Sequence, residues 1–326
     1  VRGTWNDMNE PASFRGELPQ DVVFTDEDQK TDHAAMHNVY GHLMSKATYE
    51  GLKEADGRRP FVITRACYAG TQKYSTVWTG DNQSLWAHLR MAVPQLCNLG
   101  MSGIAFAGTD VGGFGADATE DLVLRWLEFA VFTPLLRNHS ARGTRRQEVY
   151  RFSHVEKFAD VIGVRYQILP YIYSEYMKAA LRNTMMFKPL SFLYGEDALA
   201  RQVEDQLFIG ENVMVAPVCE QNVTGRVVYF QERMKQLIFK DGIVEEGKVY
   251  EKGFSYVEMP MGTVHIFLRE GYLFPVAKGG KCVEAVDFED LTLYSFGEEI
   301  KPYEYYLDDG ETKDFALESH IRMLSC

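Results

Sequence analysis

Trp5-Asn6-Asp7-Met8-Asn9-Glu10-Pro11 and, further along, Trp78-Thr79-Gly80-Asp81-Asn82 are the two stretches on which the reading of this chain turns. Each sets an acidic side chain shortly after a tryptophan, at what reads as the end of a short strand. Two carboxylates facing one another across a sugar ring are the minimal equipment for cutting a glycosidic bond. A carbohydrate-active enzyme is therefore the leading expectation.

Outward from these motifs, the first half of the chain alternates strand and helix signals. Asp32 to Glu50 carries Met36, Val39, Tyr40, Leu43, Met44 and Ala47 at helical spacing, with Asp32 as its N-cap. Phe61 to Thr64 and Ser75 to Trp78 read as buried strands rich in β-formers. Ser84 to Asn98 reads as a helix that Pro94 should kink. Gly103 to Ala107 reads as a strand and Leu122 to Ala130 as a helix. Phe132 to Leu136 is expected as a short strand, weakened by Pro134. His154 to Leu181 is expected as helix, bent or split at Pro170. From Pro189 onward the pattern changes to short β-rich runs: Val213 to Ala216, Arg226 to Phe230, Val264 to Leu268 and Leu291 to Tyr294. Such runs, punctuated by Gly, Asn and Asp, predict a β-sandwich. Asp308-Asp309-Gly310 is a turn signal.

In a parallel β/α barrel the active site lies at the C-terminal ends of the strands. Asp7, Arg65, Asp81, Asp110 and the triplet Arg137-Asn138-His139 each follow one of the strand candidates. Ionisable or hydroxyl-binding residues after every candidate predict one polar mouth above an apolar barrel. A closed barrel of this type needs about eight strands, and fewer are found here. The interval Ala66 to Tyr74 is also too short for a crossover helix. The chain opens Val1-Arg2-Gly3, without an initiator methionine. The expectation is a piece of a longer polypeptide, whose upstream segment supplies the missing strands.

The bulk composition narrows the alternatives. With 46 acidic against 34 basic residues the formal net charge is −12, the wrong sign for a nucleic-acid or anionic-membrane surface. No apolar run reaches the ~18 residues that span a bilayer. Cys67, Cys97, Cys219, Cys282 and Cys326 are odd in number and scattered, without a C-x-x-C pair. Neither a metal site nor a disulfide framework is expected, and a reducing cytoplasm fits best, with an upstream targeting segment left open. Asn222-Val223-Thr224 matches a glycosylation sequon, a triplet that often arises by chance. His33, His37 and His42 share one predicted helix, but only the first two share a face.

These residues resemble glycoside hydrolase family 31, the α-glucosidase group. Its nucleophile motif W-x-D-M-N-E is met by Trp5 to Glu10, and its acid/base motif, ending W-x-G-D-N, by Trp78 to Asn82. An Arg upstream of the second motif (Arg65), an Asp before a Gly-rich turn (Asp110) and an R-N-H stretch (Arg137 to His139) match as well. Asp205 to Gly210 and Val215 to Val218 look like the family's proximal β-sandwich. The resemblance implies an α/β fold class: the later strands of a (β/α)8 barrel over 1–185, a proximal β-sandwich over 186–278 and a short distal β-rich segment over 279–326. It implies a retaining mechanism, with Asp7 as nucleophile and Asp81 as acid/base, their carboxyl groups roughly 5–5.5 Å apart. At that range the Asp7 charge should raise the pKa of Asp81. Arg65 would hydrogen-bond the sugar and help keep Asp7 ionised. Asp110 and His139 would hold hydroxyls of the terminal glucose. Trp78, Met8 and Phe114 would form apolar wall, and Glu10 would orient its neighbours. The implied substrate is an α-glucoside oligosaccharide, hydrolysed without metal or cofactor; homo-oligomer formation stays open. The rival readings are an α-xylosidase, a glucosyltransferase, and a non-catalytic carbohydrate-binding protein on a dead barrel.

Overall fold

Short apolar runs and long amphipathic ones resolve in the computed structural model, which describes residues 3–26 and 28–325, into parallel β/α units followed by antiparallel sheets. Val1, Arg2 and Cys326 lie outside the described residues. Two compact units are present. One runs to Gly80 and includes Asp309–Asp314; the other comprises Asp81–Asp308 and the residues from Phe315 onward.

In the first unit, β1 (Gly3–Asn6) lies parallel to β4 (Phe61–Thr64), with Gly3 opposite Phe61 and Asn6 opposite Thr64. β4 in turn lies parallel to β5 (Thr76–Trp78). Between β1 and β4 come a hairpin, β2 (Val23–Asp26) and β3 (Gln29–Asp32), and the helix α1 (His33–Asp56). Asp32 caps α1 as expected, accepting the Ala35 amide at 3.0 Å. The helix runs six residues past its predicted end and stops where Gly57 turns left-handed at φ 69°. Gly41 lets α1 approach closely: a Cβ there would stand 2.6 Å from Ala66 Cβ and 2.8 Å from the Asn9 carbonyl. The β4–β5 connection holds only a 3-10 turn at Thr71–Lys73, in keeping with its short span, and His42 Nδ1 pairs with Thr71 Oγ1 at 2.9 Å. His33 and His37 do share a face, their ring nitrogens 3.2 Å apart. Asp309 accepts from the Glu311 and Thr312 amides beside Gly310 (φ 73°), so the expected turn is present. Backbone bonds between Arg59 and Glu311 join that segment to the start of β4.

The second unit opens with α2 (Trp86–Met101), β6 (Ala107–Gly108), β7 (Asp110–Val111), α3 (Glu120–Ala130), β8 (Arg137–Asn138) and α4 (Val155–Arg182). Three expectations are corrected here. Gly103 to Phe106 is not strand: Gly103 (φ 81°) closes α2 in a Schellman turn, with Ile104 N on Leu99 O, and the strand begins only at Ala107. Phe132 to Leu136 is not strand either. Phe132 and Thr133 donate back to the last carbonyls of α3, so this run is apolar because it is buried, and pairing starts at Arg137. Pro170 does not split α4, which continues through it; the missing amide bond, worth about 3 kcal/mol, is outweighed by burial of Phe158, Ile168, Tyr171 and Ile172 around it.

Beyond α4, a six-stranded antiparallel sheet has the order β14 (Ile243–Tyr250), β13 (Met234–Lys240), β16 (Val264–Arg269), β11 (Val213–Val215), β10 (Leu207–Ile209), β9 (Phe187–Pro189). The ribbon β12 (Gly225–Phe230) and β15 (Gly253–Glu258) packs on it through a shared core that includes Phe208, Met214, Val228, Phe230, Val257 and Phe267. Two further pairs follow: β17 (Leu273–Ala277) with β18 (Leu291–Ser295), and β19 (Tyr303–Tyr306) with β20 (Ile321–Leu324). Tyr171 on α4 donates to Ile209 O at 2.5 Å and packs edge-on to Phe274, fixing the helix to these strands. Among the described residues no helix is long and apolar enough to cross a membrane.

Several buried polar side chains inside this unit pair in chains. Arg125 on α3, almost fully buried, donates to Glu128 (2.8 Å) and to the carbonyls of Val223 (3.1 Å) and Met259 (3.0 Å) in the sandwich loops. Glu128 accepts the Gly262 amide as well, and its burial pushes its carboxyl up to about 7. Between β13 and β16, Gln236 Nε2 donates to His265 Nδ1 at 2.8 Å, His265 Nε2 donates to Thr263 Oγ1 at 2.7 Å, and Thr263 donates to Pro260 O. That sequence needs a neutral imidazole, because a proton on Nδ1 would face the Gln236 donor. Burial accordingly lowers His265 to about 4, and Arg125 nearby adds to the effect. With its folded-state pKa below the ordinary value of about 6.5, the group contributes stability above that value that is lost as pH falls through about 4. Denaturant titrations should therefore show stability falling between those pH values by on the order of 3 kcal/mol from this residue. The slope should flatten in His265→Gln; an unchanged slope would contradict the assignment.

Candidate active site

The end of β1 is locked before its carboxylate is presented. Asn6, buried, donates to Thr48 Oγ1 on α1 at 3.0 Å. Asn9, also buried, donates to Thr64 Oγ1 at 2.9 Å and accepts the Ala66 amide at 3.1 Å, tying the turn after β1 to the end of β4. Between them stand Asp7 and Met8, both exposed. Met8 is left-handed at φ 56°, a strained conformation for a residue with a side chain. The Met8 amide donates to Asp7 Oδ1, 2.9 Å away.

Arg65, the first residue past β4, completes this cluster. Its Nε and Nη2 grip Glu10 in a fork at 2.6 and 3.0 Å, while Nη1 stands 3.5 Å from Asp7 Oδ1. The fork holds the Glu10 carboxyl below the usual range. Glu10 is thus a standing anion that orients Arg65, in line with the orienting role expected of it. Trp78, at the end of β5, is buried and meets the exposed Trp5 edge to face, with ring centroids 5.6 Å apart. Of the residues expected at the site, Asp7, Met8, Arg65 and Trp78 lie in the first unit.

Asp81, Asp110, Phe114 and His139 lie in the second. Asp81 is exposed and follows Gly80 (φ 81°). Its neighbour Asn82 is buried, and the Asn82 carbonyl accepts the amides of Phe114 (2.8 Å) and Gly115 (2.9 Å). Phe114 stacks on His139, centroids 5.1 Å apart and planes 28° apart. Asp110 is completely buried and takes Arg137 Nε at 2.8 Å. Asp110 follows β6, as expected, and itself belongs to β7, where Arg137 on β8 is its register partner. Gly113, left-handed at φ 89°, passes so close to Gln83 and Ser84 that a Cβ would sit 2.5 Å from the Ser84 amide nitrogen. Gln147, buried, donates to Val111 O (3.1 Å), Gly113 O (3.0 Å) and Asn138 Oδ1 (3.2 Å), lacing the shelf together. Sequence reasoning missed Gln147, which no motif marks, and placed Arg137 at the polar mouth without assigning it a role.

Chemically, the first unit offers an exposed carboxylate beside a fixed cation, and the second an exposed carboxyl next to a stacked aromatic–imidazole shelf. Each set of groups by itself suits a neutral, hydroxyl-rich ligand.

Known proteins share the sequence and fold. Residues 1–175 match the TIM-barrel domain of glycosyl hydrolases family 31, and residues 183–274 match the family's C-terminal domain. The chain is 37% identical to Alpha-glucosidase 2 of Bacillus thermoamyloliquefaciens across 99% of its own length and 41% of that protein's. Among solved structures it resembles the glucosidase II alpha subunit bound to Glc1Man2 (TM-score 0.85, 27% identity, 98% of this chain and 35% of that one). It likewise resembles the Flavobacterium johnsoniae dextranase complexed with glucose (TM-score 0.83, 28% identity, 97% of this chain and 40% of that one). The chain thus spans about two fifths of the length of the curated relative it matches best among these. Its fold is that of the later strands of a (β/α)8 barrel followed by a β-sandwich, and the chain belongs to glycosyl hydrolase family 31.

Proposed function

We propose that this chain carries the catalytic carboxylates of a retaining α-glucosidase that removes terminal α-linked glucose from oligosaccharides. One observation carries the reading: Asp7 is presented at the end of a parallel strand in the W-x-D-M-N-E motif, its Oδ1 facing the Arg65 guanidinium at 3.5 Å. Asp7 attacks the anomeric carbon as the glycosidic C–O bond breaks, and Asp81 gives its proton to the departing oxygen. Water then attacks the glycosyl-enzyme, Asp81 takes the water's proton, and the Asp7 ester bond breaks to release α-glucose. Asp110 and His139 hold hydroxyls of the terminal sugar, and Trp78, Met8 and Phe114 bound its apolar faces. Names of family relatives support a glucoside over a xyloside substrate. Turnover by this chain is proposed to require an upstream segment supplying further barrel strands.

The test is made in the enzyme as its native gene encodes it. Asp7→Ala should lose turnover without losing the fold. With α-glucosyl fluoride as substrate, azide should restore reaction by forming a C–N bond as C–F breaks, giving the β-glucosyl azide. Asp81→Ala should lose about 10²- to 10⁴-fold on maltose, where the leaving group needs a proton, and far less on the fluoride. Normal turnover in Asp7→Ala would refute the mechanism; preference for an α-xyloside over maltose would replace the substrate.

Arg65→Lys supplies the charge without the fork. Loss of the Glu10 grip leaves two carboxylates facing each other, and kcat should fall at least tenfold with little change in the melting temperature. Wild-type kcat in that variant would remove Arg65 from the site.

A further inference from the structure

On the sandwich, beside β12 and β15, lies an open cavity of about 640 Å³, within the size range of ligand sites. None of the residues assigned to the strand-end site lines it. Its polar wall is a fixed ion-paired fork. Arg226 Nη2 meets Asp205 Oδ1 at 2.7 Å, and its Nη1 donates to the carbonyls of Pro217 (2.7 Å) and Asp205 (3.1 Å). Arg90, more than half exposed, reaches the other Asp205 oxygen at 3.7 Å. Glu220, Asn222 and Thr224 continue the rim. The two arginines balance Asp205 and Glu220, so the cavity holds no net charge to select an ionic ligand.

The opposite wall is apolar and aromatic. Tyr256 lines the cavity and is 55% exposed; its register partner Val227 is 54% exposed, and Phe254, two residues away on the same face, is 60% exposed. A register pair of exposed apolar side chains is an unusual use of a ribbon whose other face sends Val228, Phe230 and Val257 into the sandwich core. An aromatic ring and fixed polar groups lining one cavity complement a pyranose, which has apolar C–H faces and a hydroxyl edge. Charge neutrality and the aromatic wall disfavour phosphate, nucleic acid or an acidic peptide.

We propose that this groove is an accessory binding site for a neutral oligosaccharide chain, with Tyr256 as its stacking platform. Such a site would retain a long substrate while its ends are processed elsewhere on the enzyme.

Maltoheptaose is titrated into the enzyme by calorimetry. Two classes of site are expected, and Tyr256→Ala should remove one class or weaken it at least tenfold. Tyr256→Phe should keep most of the affinity, since the ring is retained. Because Tyr256 is exposed, its melting temperature and its kcat/KM on maltose should not change. The same titration in Asp7→Ala keeps the Tyr256-dependent class, so the inference can hold even if the hydrolytic reading fails. A Tyr256→Ala isotherm identical to the wild type, in either background, would overturn it.

Discussion

A single guanidinium shared between two carboxylates sets the terms for the strand-end chemistry. Arg65 is offered at the end of β4, Glu10 and Asp7 come from the turn after β1, and parallel pairing of those strands brings all three together. Without the cation, two anions would stand on one short turn, a repulsion that grows as solvent is excluded. The geometry divides the labour unequally. Glu10 takes Nε and Nη2 in a fork, while the third nitrogen stands at longer range from Asp7, which also accepts the Met8 amide. The tightly held carboxylate is neutralised and immobile, and the loosely held one stays exposed and available to a ligand. Lysine, a point charge, could not make this distinction.

The second unit solves a different problem, which is how to bury polar groups where a barrel helix meets a sandwich. Arg125 terminates three acceptors, Glu128 closes the circuit with the Gly262 amide, and His265 passes one hydrogen bond from Gln236 to Thr263. Along α4, Glu175 takes Tyr303 at 2.8 Å and Lys178 at 2.6 Å, and Ser174 receives the Tyr306 amide. Each group is paired at least once, which is the condition under which buried polarity costs little.

What was legible in the sequence follows from which signals are local. Strand ends bearing Asp7, Arg65 and Asp81 were visible because motif residues sit next to β-formers. α1 and α3 were visible from their apolar spacing and the Asp32 cap. β13 was not, because Gln236 occupies a core position and breaks the alternation; its reason for being there, the bond to His265 from another strand, is non-local. β14 escaped for the opposite reason, since most of its side chains are exposed at the sheet edge. β6, β7 and β8 are two residues each, too short for any period to register. The Phe132 to Leu136 error shows that an apolar run reports burial before it reports pairing.

Left-handed backbone occurs at the motif strand ends as well as in turns elsewhere in the chain. Met8, Gly80, Gly112 and Gly113, all with positive φ, lie at or beside the ends of the parallel strands that carry the motif residues. Met8 has a side chain and no glycine's freedom there, so its conformation is held by Asn9, whose amide bridges to Thr64 and Ala66. A turn relaxed at this position would redirect the chain after Met8 and move Asn9 and Glu10 away from Thr64 and Arg65. Strain at Met8 and the buried bonds of Asn9 are therefore two sides of one constraint: the scaffold supplies the energy that keeps an exposed carboxylate in a fixed direction.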